Sequence, residues 1–187
     1  MTLDRFCVKF FATPDTQVDD EAIFIDIFQD WIKFRKLDGV LLDVADYTHV
    51  PDGPGVMLIA YETNYAMDHQ DGFGLYAQRK VCEDGTQQEK IMGLVKSTAA
   101  FGQLLENDSR VNVTLAGNKF LYISNDRLRG PNTDDGFNAV KGDLEAIAAQ
   151  LYPGQSVSVT RVDNDPRARL TAVVEAASSV SLSDLAA

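Results

Sequence analysis

The stretch DVADYTHVPDGPG, from Asp43 to Gly55, gathers the side chains best equipped for chemistry in this chain: Asp43, Asp46, Tyr47, His49 and Asp52. An aspartate beside a histidine at a strand end can run general acid–base chemistry, because the carboxylate orients the imidazole and favours its charged form. If the segment is extended, Asp43, Ala45, Tyr47 and His49 share one face and Asp46 lies on the other. The competing reading is a polar strand face beside a tight turn, with His49 in solvent, and it is the favoured one. The chain holds only two histidines, His49 and His69, and neither sits in a spaced ligand motif such as HExxH. Carboxylates alone do not replace His and Cys ligands, so zinc or iron has little support. Asp43, Asp46, Tyr47 and His49 are therefore the candidate catalytic residues, and they require one shared concave site.

A second stretch, SNDRLRGPNTDDGF from Ser124 to Phe137, sets Arg127 and Arg129 before a helix start. A bare helix N-terminus flanked by arginines would bind an anion. Here Asn132 or Thr133 can cap the free N–H groups, and Asp134 and Asp135 already bring negative charge to the first turn. Asp126 and these aspartates can also pair with the arginines, so a structural loop is favoured over an anion site at Arg127 and Arg129. No GxGxxG, GxxxxGK[ST] or GxSxG phrase occurs, and Cys7 and Cys82 have no Cys-x-x-Cys partner. No cofactor is expected. Arg161, Arg167 and Arg169 bracket Asp163 and Asp165, where cross-strand ion pairs are the default. Phe10, Phe11, Trp31, Tyr47, Tyr61, Tyr65 and Tyr76 could line a pocket, although aromatics at strand and helix spacing usually build core.

The elements that must carry these residues follow from periodicity. DRFCVKFFAT reads as a strand with Phe6, Val8 and Phe10 on one face and Cys7, Lys9 and Phe11 on the other. DDEAIFIDIFQDWIKFRKL is a helix with acids at its start and bases at its end, as the helix dipole prefers. GVLLDVADYTHV and GVMLIAYE are strands joined through PDGPG, and Phe73 to Cys82 is another. Thr86 and Glu89 form a capping box that opens a second helix. VNVTL and KFLYIS then flank Ala-Gly-Asn as a hairpin with positive φ at Gly117 and Asn118. A third helix runs through Phe137, Val140, Leu144, Ile147, Ala148 and Leu151. QSVSVTRV and RLTAVVEA close the series as a hairpin. The reading is an α+β fold, a mainly antiparallel sheet or partly closed barrel of tandem βαββ units with three helices. It forms a single domain over residues 1–175, with a tail over 176–187.

The phrases DVADYTHVPDGPGVMLI and NDRLRGPNTDDGF resemble those of uncharacterised bacterial proteins of about this length, over most of the chain. That resemblance implies no activity and carries over no functional residue. The tandem βαββ order is also similar to that of GyrI-like and SOUL barrels, which implies a fold and nothing about function.

Composition narrows the classes. The formal net charge of -11 repels phosphate backbones and anionic lipid, so no nucleic acid and no membrane partner is expected. No apolar run is long enough to span a bilayer, and two thiols in strand-like runs fit a reducing cytoplasm. The leading expectation is a non-catalytic cytoplasmic protein acting through a protein partner or homo-oligomer. A binder of a small apolar or planar molecule comes second and an Asp/His enzyme third.

Overall fold

A computed structural model describes residues 3–51 and 53–187. In chain order the elements are β1 (Phe6–Ala12), α1 (Ile23–Lys33), β2 (Leu41–Tyr47), β3 (Gly55–Ala60), β4 (Thr63–Asp68) and β5 (Gly74–Arg79). Then come α2 (Gln87–Glu106), β6 (Leu115–Ser124), α3 (Asp134–Leu151), β7 (Val157–Arg161), β8 (Thr171–Ala176) and α4 (Leu182–Ala186). The strands form one open sheet in the order β2-β3-β4-β5-β1-β6-β8-β7, with every neighbouring pair antiparallel. The fold is α+β with a mainly antiparallel sheet, and of the two architectures expected, the open sheet is the one that forms.

All four helices bury their apolar side chains in one core against one face of the sheet. Phe6, Val8 and Phe10 of β1 face this core, together with Phe24, Ile27, Phe28 and Trp31 of α1 and Leu94, Val95 and Phe101 of α2. Aromatic rings pack directly on one another there: Tyr65, Trp31 and Phe28 all meet Phe101, at centroid distances of 4.4, 4.7 and 5.5 Å. Contacts of this kind pack this part of the core with side chains. Helix α2 opens on the expected capping box, in which Thr86 and Glu89 each accept the other's backbone N–H.

The elements differ from the sequence reading in three places, an added strand, an unbroken β6 and a fourth helix. Strand β4 was not expected, because Thr63, Asn64 and Asp68 obscure its alternation; Tyr65 and Met67 face the helices while Ala66 faces away. The expected hairpin at Ala116–Asn118 does not form, and β6 runs straight through it as one ten-residue strand. Gly117 serves packing rather than turning. A Cβ there would lie 2.0 Å from the Val180 carbonyl oxygen, where the chain comes back before α4. The segment read as a tail folds onto the domain, with Leu182 and Leu185 buried in the main core.

Candidate functional site

Strand β2 lies at the sheet edge and ends in the turn that leads to β3. Its register places Asp43 opposite Ile59 and Tyr47 opposite Gly55, both on the helix-free face, whereas Asp46 pairs with Val56 on the helix face. Asp43 Oδ1 accepts the N–H of Val44 at 2.8 Å. Asp46 Oδ1 accepts both the N–H and the hydroxyl of Thr48, at 2.9 and 2.7 Å, and these bonds hold its carboxyl below the usual range. Both aspartates are thus engaged in shaping their own turn and edge. His49 is exposed on the turn and makes no hydrogen bond among the described residues. Asp52 lies outside the described residues.

Tyr47 alone of the four candidates lines a groove. This groove, about 480 Å3, is walled by Val18–Ala22 before α1, by Tyr47, Thr48, Val50, Pro51, Gly53 and Gly55, and by His69 after β4. Gly55 is required at this point: its φ is +61°, and a Cβ would sit 2.1 Å from the Met67 carbonyl oxygen. The acid–histidine pair that does form joins residues 48 apart in sequence. Glu21 Oε1 lies 2.6 Å from His69 Nε2, and the imidazole also packs on Phe73 at 4.7 Å. No local spacing marks Glu21 and His69 as neighbours, so motif reading had nothing to detect. Carboxylate and aromatic ring fix the imidazole's orientation, and Asp19 and Asp20 add negative charge on the same wall. Among the described residues no group of three or more His, Cys, Asp or Glu is placed to hold a metal ion.

The arginine loop stands elsewhere. Asp126 organises it, accepting the N–H groups of Leu128 and Arg129 on Oδ1 at 3.2 and 3.0 Å and the Gly130 N–H on its carbonyl at 2.8 Å. Arg129 Nε stays 4.0 Å from Asp126, and Arg127 makes no hydrogen bond or ion pair among the described residues. Thr133 is the cap of α3, its hydroxyl accepting the Gly136 N–H at 3.1 Å. Asn132 instead ties the loop to Asn164 and to the Asp165 carbonyl. Arg161 pairs with Asp134 and Arg167 with Asp165, while Arg169 leaves the last hairpin to reach Tyr76 and Gln70.

That last contact belongs to a polar network on the helix-free face. Lys9, 1% exposed, donates to the Asp68 carboxylate at 3.1 Å, to the Asp68 carbonyl at 3.0 Å and to the Gln70 carbonyl. Burial lowers the Lys9 pKa, and Asp68 opposes that shift. Cys7 Sγ lies 2.8 Å from Tyr76 Oη, which also accepts from Arg169 at 3.3 Å. Burial pushes the thiol up to about 11 and raises the phenol. With all three ammonium donors engaged and the thiol held neutral, this network lacks a free nucleophile.

Beside β2 the surface turns apolar. Phe34 ends α1, Val40 and Leu42 flank the start of β2, and the Tyr61 N–H donates to the Val40 carbonyl at 2.8 Å. These four side chains are between 54% and 61% exposed. No helix among the described residues is long and apolar enough to cross a membrane. Comparison with known proteins finds no match: no family model, no curated protein and no solved structure is similar to this chain.

Proposed function

We propose that the protein is a non-catalytic cytoplasmic protein that works by binding a protein partner at the apolar end of β2. The observation that carries this reading is that Phe34, Val40, Leu42 and Tyr61, around the start of the edge strand, are each more than half exposed. Burying a wholly exposed side chain of this size is worth about 1.5–3 kcal/mol, and a little over half of each of these remains to be covered. Four such side chains around one strand end offer a partner apolar area to cover. The partner packs on these side chains and does not extend the sheet, because Asp43 already takes the Val44 N–H on this edge strand. Two free cysteines, one of them exposed, fit a reducing compartment.

The enzyme reading has less support. Asp43 and Asp46 point to opposite faces and His49 lies outside the groove that Tyr47 lines. The test uses two baits in cross-linking from the native host: wild type, and a Leu42→Asp/Tyr61→Ser variant with unchanged thermal midpoint. A specific protein held by wild type and lost by the variant is the expected result. Identical captures from both baits would overturn the assignment of the surface.

A further inference from the structure

On a chain of net charge -11, the loop after β6 presents an exposed Arg-Leu-Arg tip. Leu128 is 90% exposed, the most exposed large apolar side chain among the described residues, and Arg127 makes no ion pair with any of the described residues. The tip is built, not slack. Asp126 accepts three backbone N–H groups beneath it, and Asn132 anchors its far side. The loop also packs closely at Gly130, where a Cβ would meet Ser124 Oγ at 2.5 Å and Leu3 Cδ1 at 3.0 Å and both side chains would have to shift. Two arginines, a residue type enriched at binding hot spots, flank an exposed leucine on this hydrogen-bonded loop, so the knob they form presents charge and apolar area together.

The complement is found in the same molecule. The groove at the start of α1 offers Asp19, Asp20 and Glu21 on one wall and Val18, Tyr47, Val50 and Pro51 as apolar surface. Strand register shows that knob and groove sit at opposite ends of the sheet. Ser124, from which the knob leaves, pairs with Phe6 at the beginning of β1. The far end of β1 pairs with Gly74, Gly74 with Asp68, and Tyr47 with Gly55 beside the groove. The five steps from Phe6 to Phe11 alone span roughly 17 Å of strand. No chain can therefore fill its own groove with its own knob.

We propose that the Arg127–Arg129 tip of one copy docks in the Asp19–Glu21 groove of a second copy, head to tail. Leu128 packs on the Val18, Val50 and Pro51 surface, and the two guanidinium groups meet the carboxylates of the wall. Such a contact joins two different surfaces, so it propagates into a ring or an open chain and does not stop at a symmetric dimer. This proposal does not rest on the partner surface at the start of β2, which lies at the other end of that strand from the groove.

Sedimentation velocity on the full chain, at rising concentration in low salt, tests it. Wild type is expected to associate reversibly, and added salt to weaken the association. Arg127→Gln/Arg129→Gln and Asp19→Asn/Asp20→Asn should each weaken it at least about tenfold. All four side chains are exposed, and Asn at position 20 keeps an acceptor for the Ala22 N–H, so the fold should survive. Mixing the two variants should restore a one-to-one pair that does not grow, since one intact knob meets one intact groove. Wild type that stays monomeric at every concentration, or a loop variant that associates like wild type, overturns the proposal. If Leu42→Asp abolishes association while the loop variant does not, self-assembly belongs to the β2 end and the knob has no part in it.

Discussion

Strand β1 separates two interiors. Toward the helices it sends Phe6, Val8 and Phe10 into a continuous apolar core supplied by every helix. Away from them it sends Cys7 and Lys9, which are just as buried although no helix covers that face. Phe11, Met57 and Val173 lean over the second interior, and Tyr76, Arg169 and Gln70 close it with hydrogen bonds. The apolar side is held by area and close packing. The polar side is held by matching each buried donor to an acceptor, which makes it far less tolerant of losing one partner.

The largest test of this contrast is made at neighbouring positions. Lys9→Ala strands the Asp68 carboxylate, which is itself buried, and should cost about 3–5 kcal/mol in urea denaturation. Phe10→Ala should cost a similar amount, about 3–5 kcal/mol, through a cavity in the apolar core. The two losses differ in how they can be repaired. Lys9→Met combined with Asp68→Leu removes both charges together and should leave stability within about 1 kcal/mol of wild type or above it. If the double replacement is as damaging as Lys9→Ala, matching is not what holds the polar side.

Alkaline pH supplies the next test, again acting on the polar interior only. The folded Cys7 pKa is raised to about 11, whereas an unfolded thiol sits near 9.0. Stability from the neutral thiol is complete below the unfolded value and is lost as pH rises through the folded one. Full loss would amount to about 2–3 kcal/mol. Tyr76 shifts in the same direction and adds to the fall. Lys9 has the opposite sign: its folded pKa lies below 10.5, so its share of stability rises with pH over that window and offsets part of the loss. Urea midpoints at about pH 8 and about pH 10.5 should therefore drop for wild type, and drop less for Cys7→Ala. A Cys7→Ala profile parallel to wild type would detach the thiol from the alkaline loss.

The alternation of β1, the burying stripe of α1 and the capping box of α2 were legible because each depends on residues within one or two turns of chain. What remained hidden depends on distant chain. Nothing near Gly117 announces that Val180 will press against it, and nothing near Glu21 announces His69. The helix-free face was equally hidden, since Cys7 and Lys9 alternate as a solvent-facing or a buried set would. Of the candidate residues, sequence placed Asp43 and Tyr47 on one strand face correctly. It could not show that Asp43 and Asp46 would spend their carboxylates on Val44 and Thr48. The exposed Leu128 carried no periodic signal at all, because it belongs to a loop.

The smallest expected effect comes from a polar contact that water can replace. Thr133 is exposed and its hydroxyl accepts one N–H, from Gly136, at the start of α3. Remove it and solvent still reaches the helix end, while Asp134 and Asp135 continue to meet the positive pole of the helix. Thr133→Ala should therefore cost only about 1 kcal/mol. Lys9→Ala should cost several times that, although each substitution deletes one hydrogen-bonding side chain. Thr133→Ser should recover most of the small loss, since it restores the acceptor without the methyl. A Thr133→Ala loss equal to that of Lys9→Ala would mean that access to water does not set the cost of an unmatched polar group in this fold, and the contrast between the two interiors would lose its physical basis.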